Sequence, residues 1–161
     1  MRHWLFKSEP DAFSIDDLQA AGEEHWDGIR NYQARNLMRD EMQVGDKVLF
    51  YHSNAKPPGI AGLASVSRTA YPDHTAWQAG SKYFDKRSTP ENPVWLMVNV
   101  RFEKKFAVEL PLDELRKVPE LDGMMLLRKG MRLSIQPVTP EEYATVLDLA
   151  AVKARHAGGA D

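Results

Sequence analysis

The 161-residue chain contains no cysteine, which removes disulfide frameworks, thiolate metal sites and cysteine nucleophiles from consideration. It also lacks any apolar run near the ~20 residues needed to span a bilayer. No basic-then-apolar leader precedes His3-Trp4, so a cytoplasmic protein without membrane contact is expected. Neither sign of charge is in large excess. With 21 Lys and Arg against 23 Asp and Glu the net charge is -2, which weighs against broad adhesion to duplex DNA through many phosphate contacts. There is no Walker-type phosphate loop and no G-x-S-x-G elbow. His3, His25, His52 and His74 are scattered without an H-x-H or H-x-x-x-H pair, so neither a metal nor a cofactor is expected.

A hydrophobic content of 43% suffices for a single core in a chain of this size. One domain over residues 1–156 is expected, followed by a frayed tail at 157–161, and a monomer is expected. The aromatic and apolar residues at 3–7 read as a strand that stops at Ser8-Glu9-Pro10, because proline cannot donate to a ladder and keeps Glu9 extended. Ser14 caps a short helix to about Ala21, with Asp17 in a capping-box place. Further strands are expected at 47–52, 60–68 and from 94 to about 106. The small residues of 60–68 would let another element approach closely. The irregular stretch 71–93 is a long excursion of the kind that is often functional, with a short helix around 74–79. Helical turns follow at 112–117 and within 121–129, and Thr139-Pro140-Glu141-Glu142 starts a last helix. The fold class is mixed α+β. A doubly wound sheet is disfavoured by the lack of regular βαβ units, and a small mixed barrel of five or six strands with flanking helices fits better.

The stretch from 25 to 36 concentrates two large aromatics, a glycine, two arginines and two asparagines where a loop turns into a helix. Asn31 is a good N-cap, so the helix should begin at Tyr32, leaving Trp26 and Arg30 on the entry loop and Gly28 to supply positive φ. Such a loop suits a flat polar ligand such as a nucleobase. It is equally compatible with a core tryptophan beside a well-capped helix. Residues 131–136 alternate strictly, which puts Arg132, Ser134 and Gln136 on one face, either solvated or forming a polar pocket wall. Ser8 and Ser53 at strand ends offer further hydroxyls. No catalytic residue is assigned. Glu9, His25 and His52 are the groups available if the protein were instead an enzyme acting on a nucleotide or small polar substrate. A protein-interaction role for 71–93 is a third reading.

Four ordered motifs carry a resemblance. Trp4-Leu5-Phe6-Lys7-Ser8-Glu9-Pro10, the run Trp26 to Asn36, Phe50-Tyr51-His52-Ser53-Asn54, and Arg132-Leu133-Ser134-Ile135-Gln136-Pro137-Val138 are similar to successive motifs of the EVE domain family, over residues 3 to about 150. Ile29 and Ile135 stand where valine is common in that family. The resemblance implies a PUA-like fold related to YTH and ASCH domains. It also implies a noncatalytic reader of a flipped, modified base in DNA, with RNA as the alternative polymer. Carried onto matching positions, Trp26 and Tyr32 would be stacking or wall residues. Ser8, Asn31 and Ser53 would bond the base edge, while Lys7, Arg30 and Arg132 would meet phosphate or a base carbonyl. With Ser134 from the alternating face, these make up the expected ligand-binding set.

Overall fold

The computed structural model describes residues 1–158. Its centre is a six-stranded mixed sheet. The strands are β1 (His3–Ser8), β2 (Glu23–His25), β3 (Lys47–His52), β4 (Gly59–Pro72), β5 (Leu96–Pro111) and β6 (Ile135–Val138), in the order β2-β5-β4-β3-β1-β6. β1 runs parallel to β3, and the other neighbours are antiparallel. Pairing of the two long strands β4 and β5 shifts register at four places. Such irregularities increase local twist and bend a sheet.

Alternation along the strands separates two cores. Trp4 and Phe6 of β1 join Val48 and Phe50 of β3 in one buried cluster, while Leu5 joins Leu49 and Tyr51 in the other. Successive side chains of a strand point to opposite faces, so a near-continuous apolar run is what a sheet covered on both sides needs. The first core is closed by Ile15 and Leu18 of α1 (Ile15–Ala21) and by Ala34 and Met38 of α2 (Tyr32–Asp40). The second is closed by Leu115 of α3 (Leu112–Leu115) and Val146 of α4 (Pro140–Gly158). Gly62 makes the close approach that small residues permit, since a Cβ there would strike Ile15 at 2.9 Å. Buried Trp4 keeps its indole N–H satisfied by donating to Asp46 Oδ2 at 3.0 Å.

The helix starts follow local rules. Ser14 and Asp17 form the reciprocal capping box. The Asn31 side chain accepts from the Ala34 N–H at 2.9 Å, and Thr139 and Glu142 exchange the same pair of bonds before α4.

The strand expected at 131–136 is Ile135–Val138, so Arg132 and Ser134 precede it. Gln136 is buried and folds back to donate to the Leu133 carbonyl at 2.8 Å, so it is no part of a pocket wall. β4 and β5 run on to Pro72 and Pro111. β2 was not foreseen. Glu23-Glu24-His25 has no apolar alternation and is a strand because its backbone pairs with Asn99–Arg101 of β5. The last helix continues through Gly158, past the start of the expected tail, whose residues 159–161 lie outside the described residues.

Candidate functional site

Where the end of β1 meets the stretch after β2, a cavity of about 550 Å³ opens, within the ~300 to 1,000 Å³ typical of ligand sites. Its wall takes Lys7, Ser8 and Glu9 from β1 and its exit, Phe13 before α1, the segment from Glu24 to Ile29, Lys82 and Tyr83 from the excursion, and Ser134 before β6. Trp26 is one of the lining residues. Its backbone N–H donates to Val98 O at 2.7 Å, extending the β2–β5 pairing by one residue. Its ring packs at steep angles against Phe6, Phe13 and Phe50, with centroids 5.5, 6.1 and 5.7 Å away. Only 8% of the residue is exposed, and Trp26 also lines the cavity. Trp26 is therefore a core residue that also presents a surface to the cavity.

The loop after Trp26 is fixed by the excursion. Gly28 has φ +81°, and a Cβ there would stand 2.5 Å from the Tyr83 ring, so glycine is required twice over. Its N–H donates to Asp73 Oδ2 at 2.8 Å. Asp73 is fully buried and also accepts from the Thr75 N–H and hydroxyl at 2.9 and 2.5 Å and from Arg30 Nη1 at 3.0 Å. Burial alone would push its carboxyl up. The bonds from Thr75, Gly28 and Arg30 outweigh burial and hold it below the usual carboxylate range. Arg30 spends its remaining donors on the Tyr83 carbonyl, at 3.0 and 2.7 Å, on the Ile29 carbonyl at 2.9 Å and on the Thr75 hydroxyl oxygen at 3.4 Å.

Around the cavity the polar groups are of mixed kind. Burial lowers the Lys7 ammonium's pKa, and its Nζ donates to the Met131 carbonyl at 3.3 Å. The Ser8 hydroxyl donates to Phe13 O at 2.5 Å, which leaves its oxygen free to accept. Burial, reinforced by the negative charge of Asp73, pushes the Asp27 carboxyl up. Glu9 accepts from Asn54 Nδ2 at 2.9 Å, and the His25 ring lies between Glu24 and Asp27 at 3.1 and 3.5 Å.

Of the residues expected from the sequence, Lys7, Ser8, Trp26 and Ser134 come together here. The others stand elsewhere. Arg30 is the clamp just described, Asn31 is the exposed cap of α2, and Arg132 is exposed before β6. Tyr32 is half exposed against Trp95, with centroids 4.8 Å apart. Ser53 donates its backbone N–H to Ser8 O at 2.9 Å and does not line the cavity. Glu9 and His25 line it, and His52 does not. The buried His52 accepts the Ile15 N–H at Nε2, 3.1 Å, so Nδ1 carries the proton and donates to Glu109 at 2.9 Å. It is a structural histidine. Among the described residues, no group of three or more His, Asp or Glu side chains could hold a metal ion. Asp27, Phe13, Asp73 and Tyr83 were missed. The composition of 71–93 was the only signal for the last two, since the contacts of Gly28 and Arg30 with them span more than forty residues of chain.

Comparison with known proteins agrees with this architecture. Residues 2–149 match the family model of the EVE domain. Human thymocyte nuclear protein 1 is 43% identical over 91% of this chain and 73% of its own length. A solved protein from Leishmania major is 50% identical with a TM-score of 0.92, covering 96% of this chain and 98% of that one. Human THYN1, solved in complex with DNA containing 5-methylcytosine, is 43% identical with a TM-score of 0.86, covering 93% and 98%. No helix among the described residues is long and apolar enough to cross a membrane.

Proposed function

The chain belongs to the EVE domain family, and from that premise we propose that it is a noncatalytic module that takes a modified base, flipped out of DNA, into the Trp26 cavity. The observation that carries this reading is an aromatic-floored cavity of about 550 Å³ bordered by both donors and acceptors. A cytosine-type base offers an exocyclic amine, which a carboxylate such as Asp27 or Glu9 accepts. Its O2 carbonyl takes a donor, and Lys7 supplies one. A 5-methyl group sits against Phe13 and Trp26. The complex of human THYN1 with DNA containing 5-methylcytosine supports the choice of ligand. RNA is the alternative polymer, and a monomer in the cytoplasm is part of the same proposal.

Flipping costs a few kcal/mol and one aromatic stack returns ~1 to 3, so the polar wall has to contribute before binding becomes measurable. Titrating methylated and unmethylated oligonucleotides against the native protein and Trp26→Ala tests the reading. Preference for the methylated strand, lost in the variant, is expected. Equal binding of all ligands by both proteins overturns it.

The enzymatic reading has less support. His52 is committed to the backbone of Ile15 and to Glu109 and does not line the cavity, while Glu9 accepts from Asn54 and the Ser8 hydroxyl donates to the Phe13 carbonyl and not to His25.

A further inference from the structure

A second cavity, of about 520 Å³, lies beside the first and shares Lys82 and Tyr83 with it as a common wall. Beyond that wall it is lined by Phe84, Lys86 and Arg87, with Trp95 beneath. Large hydrophobic residues exposed by a third or more are few among the described residues, and the two aromatic ones, Tyr32 at 49% and Phe84 at 51%, both belong to this region. Phe84 lines the cavity, and Tyr32 stacks on Trp95. An aromatic ring held half in solvent is a stacking platform in waiting.

The platform is rigid. Trp95 is 2% exposed, and its indole N–H donates to Asp85 Oδ2 at 2.8 Å. The Arg35 guanidinium lies 4.7 Å from the Tyr32 ring and donates to the Val94 carbonyl at 3.1 Å, so Tyr32 is gripped from two sides. The charge around it is one-sided. Lys82, Lys86 and Arg87 are exposed; the one carboxylate of the lining, Asp85, accepts from Trp95 and pairs with Arg87 at 2.8 Å, so three cations stand against one carboxylate and the excess is carried by Lys82 and Lys86. On a chain of net charge -2 this is a local basic patch with exposed aromatic rings, the pairing that tracks a phosphate backbone and stacks its bases.

The geometry points to a second nucleotide subsite: the residue adjoining the flipped base lays its base on Phe84 or Tyr32 and its phosphates against Lys82, Lys86 and Arg87. The inference rests on the base-reading function proposed for the first cavity. It adds that affinity for the strand and recognition of the modification are carried by two separable surfaces. A base in the Trp26 cavity has its backbone leaving past Lys82 and Tyr83, the shared wall, and the next nucleotide meets the platform there.

The test compares the native protein with Phe84→Ala and with the double variant Lys86→Gln/Arg87→Gln, none of which touches the first cavity. The probes are single-stranded DNA nonamers with central 5-methylcytosine or cytosine, titrated by fluorescence anisotropy over a range of salt. Phe84→Ala is expected to weaken both nonamers by roughly 5-fold or more. The double variant is expected to lower the slope of log affinity against log salt by about 0.7 for each phosphate no longer neutralised, or about 1.4 for the pair. In both variants the ratio of methylated to unmethylated affinity should stay at the native value. Unchanged nonamer affinity and salt slope in both variants overturn the subsite, and so does a loss confined to the methylated strand. If the native protein shows no preference for the methylated strand, the reading of the first cavity falls, while the variants' effect on nonamer affinity still decides the second. Failure of the native protein to bind either nonamer overturns both.

Discussion

Two regions of the molecule share the loop from Trp26 to Arg30 and use their polar groups in opposite ways. The clamp at Asp73 turns everything inward: both carboxylate oxygens are occupied, and Arg30 is spent on Asp73, the Tyr83 carbonyl and its own neighbour Ile29. The cavity at Trp26 leaves capacity over. Lys7 makes one long bond, Ser8 keeps its lone pairs, and Asp27 carries a carboxylate that burial and Asp73 both disfavour. Groups whose valences are filled by the protein hold the shape. Groups held in place with valences open are the ones a ligand can use.

The largest test of this contrast is at the clamp. Asp73→Ala leaves the mostly buried Arg30 guanidinium without its counter-charge and should cost about 3 to 5 kcal/mol in denaturant unfolding. A loss of under about 1 kcal/mol, the scale of an exposed ion pair, would show that the clamp is dispensable. Next is Gly28→Ala, which forces a side chain into the left-handed region and against the Tyr83 ring. It should cost roughly 1 to 3 kcal/mol and displace Tyr83 from the wall of the cavity, so that nucleic-acid affinity falls along with stability. His52→Ala is the control from outside the site. It orphans the Ile15 N–H and should cost about 1 to 3 kcal/mol while leaving affinity at the native value.

The smallest effects distinguish the two carboxylates by the sign of their pH dependence. Asp73 has a lowered pKa, so its contribution is present above the ordinary value near 3.8 and is lost as pH falls through the folded one. The stability gap between the native protein and Asp73→Asn should therefore narrow in acid. Asp27 has a raised pKa, so its charge opposes folding at neutral pH, and protonation relieves this as pH falls through the folded value. Asp27→Asn should be slightly more stable than the native protein at neutral pH, lose that advantage in acid, and bind methylated DNA more weakly. Unfolding curves at several pH values read both.

Much of the frame was legible because it is set by local rules. The apolar runs at 3–7 and 47–52 marked strands, which the two cores then cover on both faces, and Asn31 and Thr139-Pro140 marked helix starts through their own side chains. β2 was not legible, since an edge strand of Glu23-Glu24-His25 exists only through the backbone of β5. Gln136 departs from the polar face its alternation suggests because that alternation starts four residues before the strand does, and the amide turns inward to a carbonyl. Motif membership picked out Lys7, Ser8, Trp26 and Ser134, which line one cavity, together with Arg30, Asn31, Tyr32, Ser53 and Arg132, which do not. Arg30 and Trp26 lie four residues apart in one motif, yet one is architecture and the other borders the cavity. What separates them is Asp73 and Tyr83, distant residues whose arrival no local pattern announces.

The central claim is that the open cavity at Trp26 receives the modified base. A two-dimensional NMR titration with a 5-methylcytosine nonamer tests it most directly. The account predicts saturable shifts of the Trp26 indole N–H and of the Ser8 and Gly28 amides, with the Ile15 amide and the Trp4 indole unmoved. Saturable binding that leaves the Trp26 indole and those amides unshifted would contradict it.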